Sequence, residues 1–396
     1  LTTLRFAKRF ENLSGSAVRE ILKLTQQKDI ISFGGGMPSA DSFPVDELAK
    51  LAADTFADHG EQMLQYGTSE GYQPLREWIA GWLKAKGWNV TVDNILIISG
   101  SQQGLDLTSK AFLDPGDQVV IESPSYLSAF QIFNSYQASY LAVPSDDQGM
   151  KMDELEKVLV NNNPKLIYSI PTFQNPTGIT MTLERRKQLI ELANKYDVII
   201  IEDDPYGYLR YSGEPVPSLK ALDTEGRVIY LGSFSKIVAP GLRVGFAVAD
   251  PAILGKMVIG KQATDVHTSN LSQQIVYRYC SQGMLEPHIE KICAMYKAKR
   301  DAMLAAMDRH FPKEVTWTRP EGGLFIWCTL PEGLVSAELL KEAVAKKVAF
   351  IPGAPFYLGG QGQNMMRLNF SNAEMDLIDE GIKRIGEVLT DAVKNI

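Results

Sequence analysis

Val228-Ile-Tyr-Leu-Gly-Ser233-Phe-Ser-Lys236 is an apolar run that stops on a glycine, two serines and a lysine. The same form recurs upstream. Val198-Ile-Ile-Ile201 runs into Glu202-Asp-Asp-Pro-Tyr206-Gly207. Leu166-Ile-Tyr-Ser-Ile170 runs into Pro171-Thr-Phe-Gln-Asn175-Pro-Thr-Gly178, and Asn94-Ile-Leu-Ile-Ile-Ser99 runs into Gly100-Ser-Gln-Gln-Gly104. With Gln118–Glu122 and Arg243–Ala249, these read as strands whose near-continuous hydrophobicity suits burial on both faces. Helical stretches such as Leu183–Tyr196 lie between them. The alternation predicts an α/β architecture: a large mixed, mostly parallel sheet with helices on both faces. Ligands of open α/β sheets bind outside the carboxyl ends of the strands. The four polar turns are therefore expected to face one crevice.

Outward from this region the pattern changes. Val18, Ile21, Leu22 and Thr25 share one face of a short helix. Phe33-Gly-Gly-Gly-Met-Pro-Ser39 cannot be regular structure. A further helix is expected from Pro44–Asp46 onward, with Leu48, Leu51, Ala52, Thr55 and Phe56 on its buried face. Residues 285–310 read as a long helix leaving the sheet. Beyond it, strands at Leu324–Thr329 and Arg367–Phe370 mix with helices at Ala337–Lys347 and Glu374–Val393, the order of a second, smaller α+β domain. The expected division is an arm and mobile helix over 1–45, associated with the small domain, a large domain over 46–285 and a small C-terminal domain over 286–396.

Composition narrows the class of function. The 396 residues carry 40 basic and 47 acidic side chains, a net charge of −7. Nucleic-acid binding needs a basic face, which this balance argues against. No apolar run approaches the ~18 residues that would span a bilayer, and no signal peptide is expected at the N-terminus. Three widely spaced cysteines, Cys280, Cys293 and Cys328, suit a reducing cytoplasm rather than a disulfide framework. The four histidines, His59, His267, His288 and His310, are scattered, so no metal site is expected.

The crevice residues have a shared chemistry. The Gly100-Ser101-Gln102 turn opening a helix offers backbone N–H groups and a hydroxyl to an anion. Ser233 and Ser235 add hydroxyls, and Arg243 adds a planar, permanently charged fork. Lys236 is a nucleophile if a nearby arginine and desolvation lower its pKa. Asp203 at a strand end is placed to pair with a cationic ring nitrogen. An anion cradle, an amine and a carboxylate in one crevice are what pyridoxal phosphate needs: anchor, Schiff base and pyridinium partner. Each residue alone has a plainer reading. Lys236 could be a solvated surface lysine, Asp203 a helix cap, and Asn175-Pro-Thr-Gly178 only a turn. Tyr126 and Tyr206 could be half-buried packing, and Arg367 a buried ion-pair partner. It is their concurrence at the strand ends of one sheet that favours a site.

At these residues the chain resembles the fold-type I pyridoxal-phosphate-dependent aminotransferases of class I/II, over nearly its whole length. The resemblance is carried by Ser233-Phe-Ser-Lys-Ile-Val-Ala-Pro-Gly-Leu-Arg-Val-Gly245, Gln174-Asn-Pro-Thr-Gly178 and Ile201-Glu-Asp-Asp-Pro-Tyr206. Tyr66-Gly-Thr-Ser-Glu-Gly71 and Met366-Arg-Leu-Asn-Phe-Ser371 support it. Ser16-Ala-Val-Arg-Glu-Ile-Leu22 and Gly34-Gly-Gly-Met-Pro38 point to the 2-aminoadipate/kynurenine aminotransferase branch. Tyr126 stands where the aspartate aminotransferases carry Trp, which points away from that subgroup.

The resemblance implies a role for each residue. Lys236 would hold the cofactor covalently and then act as base and acid in a 1,3-proton shift. Asp203 would keep the ring nitrogen protonated. Asn175 and Tyr206 would bond the phenolic oxygen, and Tyr126 would stack on the ring. Ser101, Gln102, Ser233, Ser235 and Arg243 would hold the phosphate, with Tyr66 reaching it from the other subunit of a homodimer. Arg367 would bind the substrate α-carboxylate in a bidentate pair, with Asn175 and Gly36 beside it. Arg19 and Ser16 would meet a distal carboxylate. The implied activity is ping-pong transfer of an amino group from an L-amino acid (2-aminoadipate, glutamate, aromatic or branched) to a 2-oxo acid such as 2-oxoglutarate. Two other readings share the fold: a pyridoxal-phosphate-dependent C–S lyase, and a non-catalytic ligand-sensing module.

Overall fold

β-Branched and aromatic residues fill the strands of an eight-stranded sheet, the kind of side chain that packs well on a pleated surface. The computed structural model describes residues 4–10, 13 and 29–396. In chain order the strands are β1 (Ile95–Ile98), β2 (Gln118–Ser123), β3 (Ser139–Asp146), β4 (Gly149–Met150), β5 (Leu166–Ser169), β6 (Ile199–Asp204), β7 (Val228–Ser233) and β8 (Gly245–Val248). Their order across the sheet is β1-β8-β7-β6-β5-β2-β3-β4. β2 pairs in parallel with β3 and β5, β5 with β6, and β6 with β7. β8 is antiparallel to both of its neighbours, β1 and β7, and β4 is antiparallel to β3. The sheet is thus mixed and mostly parallel, as expected.

Both faces are buried, and the period of two shows how. Val120, Ile167, Ile200 and Val228 belong to one apolar cluster, with Leu155 and Leu189 from covering helices. Their chain neighbours Ile121, Tyr168, Ile201 and Ile229 belong to the other, larger one. That larger cluster continues under helices α1 (Val45–Leu64), α2 (Gln73–Ala85), α3 (Ser101–Phe112), α4 (Leu127–Ser135), α5 (Pro251–Gln262), α6 (Asn270–Ser281) and α7 (Leu285–His310). It reaches a second sheet of four antiparallel strands: β9 (Thr316–Trp317), β10 (Phe325–Thr329), β11 (Ile351–Pro352) and β12 (Met365–Asn369), in the order β9-β10-β12-β11. Among the described residues no helix is long and apolar enough to cross a membrane.

Three expectations change in detail. The strand expected over Arg243–Ala249 begins only at Gly245, because Arg243 closes the 3-10 turn Pro240–Leu242 in the left-handed region at φ 54°. The helix expected from Glu374 starts at Ile378, after a 3-10 turn over Met375–Leu377. β3 is a strand beyond those expected; Val143 is its one fully buried side chain, and the rest of it is half-buried or exposed. Pairing along β2, rather than its own hydrophobicity, makes it a strand. The short helix read at Val18–Thr25 lies outside the described residues.

The reversal of β8 decides which side chains share an edge. Strands β1, β2, β3, β5, β6 and β7 all run one way, so their carboxyl ends share one edge of the sheet. β8 runs the other way, so its amino end, next to Arg243, reaches that same edge. Helix α3 leaves the edge packed tightly on the sheet. A Cβ on Gly104 would stand 2.5 Å from Leu231 and 2.8 Å from Ile98. Gly104→Val should therefore lower stability by about 1–3 kcal/mol through overpacking. A Cβ on Gly81 in α2 would meet no atom of the described residues within 4 Å, and Gly81→Ala should raise stability by about 0.5–1 kcal/mol. Thermal melts of both variants beside the wild type test the pair. An unchanged midpoint for Gly104→Val would mean that the helix does not approach the sheet this closely.

Candidate active site

The turns leaving β1, β5, β6 and β7 meet at a cavity of about 600 Å³. Its wall contains Gly36, Ser101, Gln102, Tyr126, Asn175, Asp203, Tyr206, Ser233, Ser235, Lys236, Arg243 and Arg367, so the sequence-derived candidates converge from the strand ends and from distant chain segments. Tyr66 is the exception among the described residues. It is 81% exposed, packs edge-on against His267 and does not line the cavity of its own chain. Arg19 and Ser16 lie outside the described residues.

One end of the cavity is built for an anion. Gly100 takes φ 83° as the cap of α3, a conformation that disfavours other residues. A Cβ there would also stand 2.5 Å from Arg243 Nη2, so glycine is needed for the guanidinium to lie against the turn. Arg243 Nη2 donates to the Ser99 carbonyl at 3.0 Å. Ser233 Oγ accepts from the Ser235 N–H at 3.1 Å, which folds the chain so that both serines face the cavity. The α3 N-terminus adds its unpaired N–H groups and the positive end of its dipole.

Lys236 lies at the centre. Its Nζ donates to the Gly36 carbonyl at 3.0 Å. Burial, with Arg243 and then Arg367 nearby, brings the amine down to about 8. An ordinary lysine is almost wholly protonated at that pH, whereas this one is about half neutral and able to act as a nucleophile or base.

Asp203 faces the lysine's cavity from β6. Tyr168 donates its hydroxyl to Asp203 Oδ2 at 2.9 Å, and Oδ1 has no hydrogen-bond partner among the described residues. Burial raises this carboxyl to about 7, with Tyr168 opposing the rise. A buried carboxylate oxygen left unpaired is costly, and a cationic N–H donor would relieve that cost. Tyr168 escaped the sequence reading. Its one signal was a hydroxyl inside a strand buried on both faces, which must find a partner.

The far wall is Arg367, on the central strand β12, between Trp327 and Ile351. Its guanidinium lies 4.3 Å from the Phe325 ring centroid and 5.2 Å from that of Phe356. Nη1 donates to Asn175 Oδ1 at 2.8 Å and Nη2 to the Gly34 carbonyl at 2.9 Å, while Nε has no partner among the described residues. Burial lowers it to about 10. Among the described residues no carboxylate bonds it, so the ion-pair reading fails. Phe325 and Phe356 were also missed, because an aromatic in an apolar run looks like any core residue. Tyr206 and Asn175 are buried beside Arg367, with burial raising the Tyr206 phenol.

The orphaned Asp203 oxygen, the anion cradle at Gly100 and the acidified amine fit a planar cationic ring that carries a phosphate and a carbonyl, and the free Nε of Arg367 fits a carboxylate. Known proteins bear on that fit. A family model, aminotransferase class I and II, matches residues 28–385. An aromatic-amino-acid aminotransferase 1 of Thermococcus litoralis is 46% identical over 98% of this chain and 95% of its own. A 2-aminoadipate transaminase of Thermus thermophilus is 43% identical over 97% and 96%. The crystal structure of a Pyrococcus horikoshii kynurenine aminotransferase in complex with PMP superposes with a TM-score of 0.94, at 48% identity over 98% of this chain and 97% of that one. The chain belongs to the class I and II aminotransferases, enzymes that use pyridoxal phosphate.

Proposed function

We propose that this aminotransferase takes 2-aminoadipate and aromatic L-amino acids as donors and 2-oxoglutarate as acceptor, and that it works as a cytoplasmic homodimer. The observation that carries the reading is one cavity holding an amine at about 8 and, without a partner among the described residues, Asp203 Oδ1 and Arg367 Nε. When bound, pyridoxal phosphate supplies the electron sink for the bonds at the substrate Cα and carries the amino group between substrates. The chain's residues do the rest. The α3 N-terminus at Ser101 and Gln102, with Ser233, Ser235 and Arg243, would hold the phosphate. Asp203 Oδ1 would accept from the ring N–H, Asn175 and Tyr206 would hold the phenolic oxygen, and Tyr126 would stack on the ring. Arg367 binds the α-carboxylate through Nε and one terminal nitrogen, with Gly36 and Asn175 beside it, which orients the Cα–H bond. Lys236 Nζ removes that proton as a base and returns it as an acid.

The names of the relatives support the donor class. Room beside the catalytic groups, lined by Leu127, Ser128, Gln131 and Phe356, supports a long side chain. The three unpaired cysteines support a reducing compartment. The exposure of Tyr66 supports its use by a second copy. Arg19 and Ser16 stay assigned to a distal carboxylate on sequence alone. The same reading places the catalytic body within 46–285 and the small domain within 286–396, with the arm over 1–45. Its support is that the large sheet lies between Ile95 and Val248 and the four-stranded one between Thr316 and Asn369.

The reading is tested by the absorption band of the purified holoenzyme. Adding L-2-aminoadipate without acceptor should bleach the band and release a stoichiometric amount of 2-oxo acid. A band that responds to phenylalanine alone would remove the dicarboxylate donor and the role of Arg19. Lys236→Ala should fold normally and lose more than about 10³-fold in turnover. Release of pyruvate, ammonia and hydrogen sulfide from cysteine would instead favour the lyase. Mixing inactive Tyr66→Ala and Lys236→Ala proteins should restore part of the activity, because a hybrid dimer contains one intact site. No restoration would leave Tyr66 outside the site.

The cofactor-free protein carries a pH signature. Asp203 titrates at about 7 in the folded chain against 3.8 as its ordinary value. Between those values the folded chain holds a proton that the unfolded chain has lost, so stability from this group is present below pH 3.8 and is lost as pH rises through 7. Apo Asp203→Asn should therefore gain stability relative to apo wild type from pH 4 to 7 and then run parallel to it. Urea midpoints across that range measure the difference, and a constant gap would contradict the assignment.

A further inference from the structure

Behind the anion turn lies a polar cluster that the reaction does not use. Lys261, on α5, is completely buried. Its Nζ donates to Gln103 Oε1 at 2.7 Å, to both Asp265 oxygens at 3.0 Å and to Thr268 Oγ1 at 3.0 Å. The three protons of the ammonium therefore meet three side chains. Gln103 passes the constraint on. Its Oε1 also accepts from the Ser99 N–H at 2.7 Å, and its Nε2 donates to Asp265 Oδ2 at 2.7 Å. The amide orientation is thereby determined, with the oxygen toward two donors and the nitrogen toward an acceptor. Ser99 Oγ donates to Asp265 Oδ2 at 3.2 Å, and the Ser99 carbonyl is the acceptor for Arg243. Ser99 is thus held at its N–H, its hydroxyl and its carbonyl, directly before Gly100-Ser101-Gln102.

The backbone beyond Asp265 shows that its place is imposed. Val266 takes φ 65°, a left-handed conformation that costs a β-branched residue roughly 1–2 kcal/mol. Such a conformation persists where surrounding interactions over-determine it.

We propose that Lys261, together with Asp265, is a positioning residue for the phosphate site: through Gln103 it locks Ser99, and with it the turn and the Arg243 guanidinium, in the anion-binding arrangement. The proposal rests on the reading of that turn as the phosphate site. A buried ion pair of purely structural use can often be exchanged, both partners together, for apolar residues at little cost in stability. A positioning role has a different signature, because it acts on one end of the ligand.

The test is a titration of the apoprotein with pyridoxal phosphate and, separately, with pyridoxal, which lacks the phosphate, followed by absorbance. Lys261→Met should weaken pyridoxal phosphate binding by about tenfold or more, the factor that one charge-assisted hydrogen bond is worth, and leave pyridoxal binding unchanged. Asp265→Asn, which keeps an oxygen for the buried ammonium at a partly exposed position, should act in the same direction. Unchanged affinity for pyridoxal phosphate in the folded variants, or equal weakening for both ligands, would overturn the proposal. A wild-type protein that bound the two ligands equally would show instead that the turn is not the phosphate site, and the functional reading of that turn would fail first.

Discussion

One buried guanidinium joins the parts of this chain that make the site. Arg367 projects from the four-stranded sheet, is stacked against Phe325 and Phe356, and donates to Asn175 from the large sheet and to Gly34 from the segment that crosses the cavity. That segment is itself tied to the small sheet. The Asn369 N–H of β12 donates to the Phe33 carbonyl, and the Phe33 N–H donates to Ala349, just before β11. Further along the same segment, the Gly36 carbonyl accepts from Lys236. The lysine, the crossing segment and the small sheet are therefore positioned by one set of hydrogen bonds.

The charges follow from this arrangement. Lys236, Arg243 and Arg367 line one cavity without a bonded carboxylate among the described residues, and Asp203 lines it too, with a neutral tyrosine as its partner. Cations crowded in this way lower the affinity of the amine for its proton. They also leave the cavity short of negative charge, which a phosphate and a carboxylate supply. The acidified lysine and the demand for anionic ligands are two consequences of the same burial.

Strand direction explains how distant residues reach one edge. Parallel strands bring β1, β5, β6 and β7 to the crevice at their carboxyl ends. Reversal of β8 brings Arg243 there from the other side. A fully parallel sheet would carry the amino end of that strand, and the arginine with it, to the opposite edge.

Strand-to-turn transitions, buried periodicity and the residues at each turn are local properties, and the sequence alone determined them. Apolar runs that stop on Ser, Gly, Asn, Asp and Lys can be read without knowing what they touch, so the sheet class and the catalytic candidates were legible. Tyr168, Phe325, Phe356 and the Lys261 cluster were not, because their function lies in a partner far along the chain. Tyr168 lies 35 residues from Asp203, and Lys261 lies 158 from Gln103. β3 was invisible for the same reason, since its strand comes from pairing rather than from its own side chains. Arg367 was legible as a motif, but that no carboxylate among the described residues pairs with it was decided only by tertiary structure. Composition states which charges exist, whereas packing alone decides which of them are left unpaired, and an unpaired buried charge is what gives this site its chemistry.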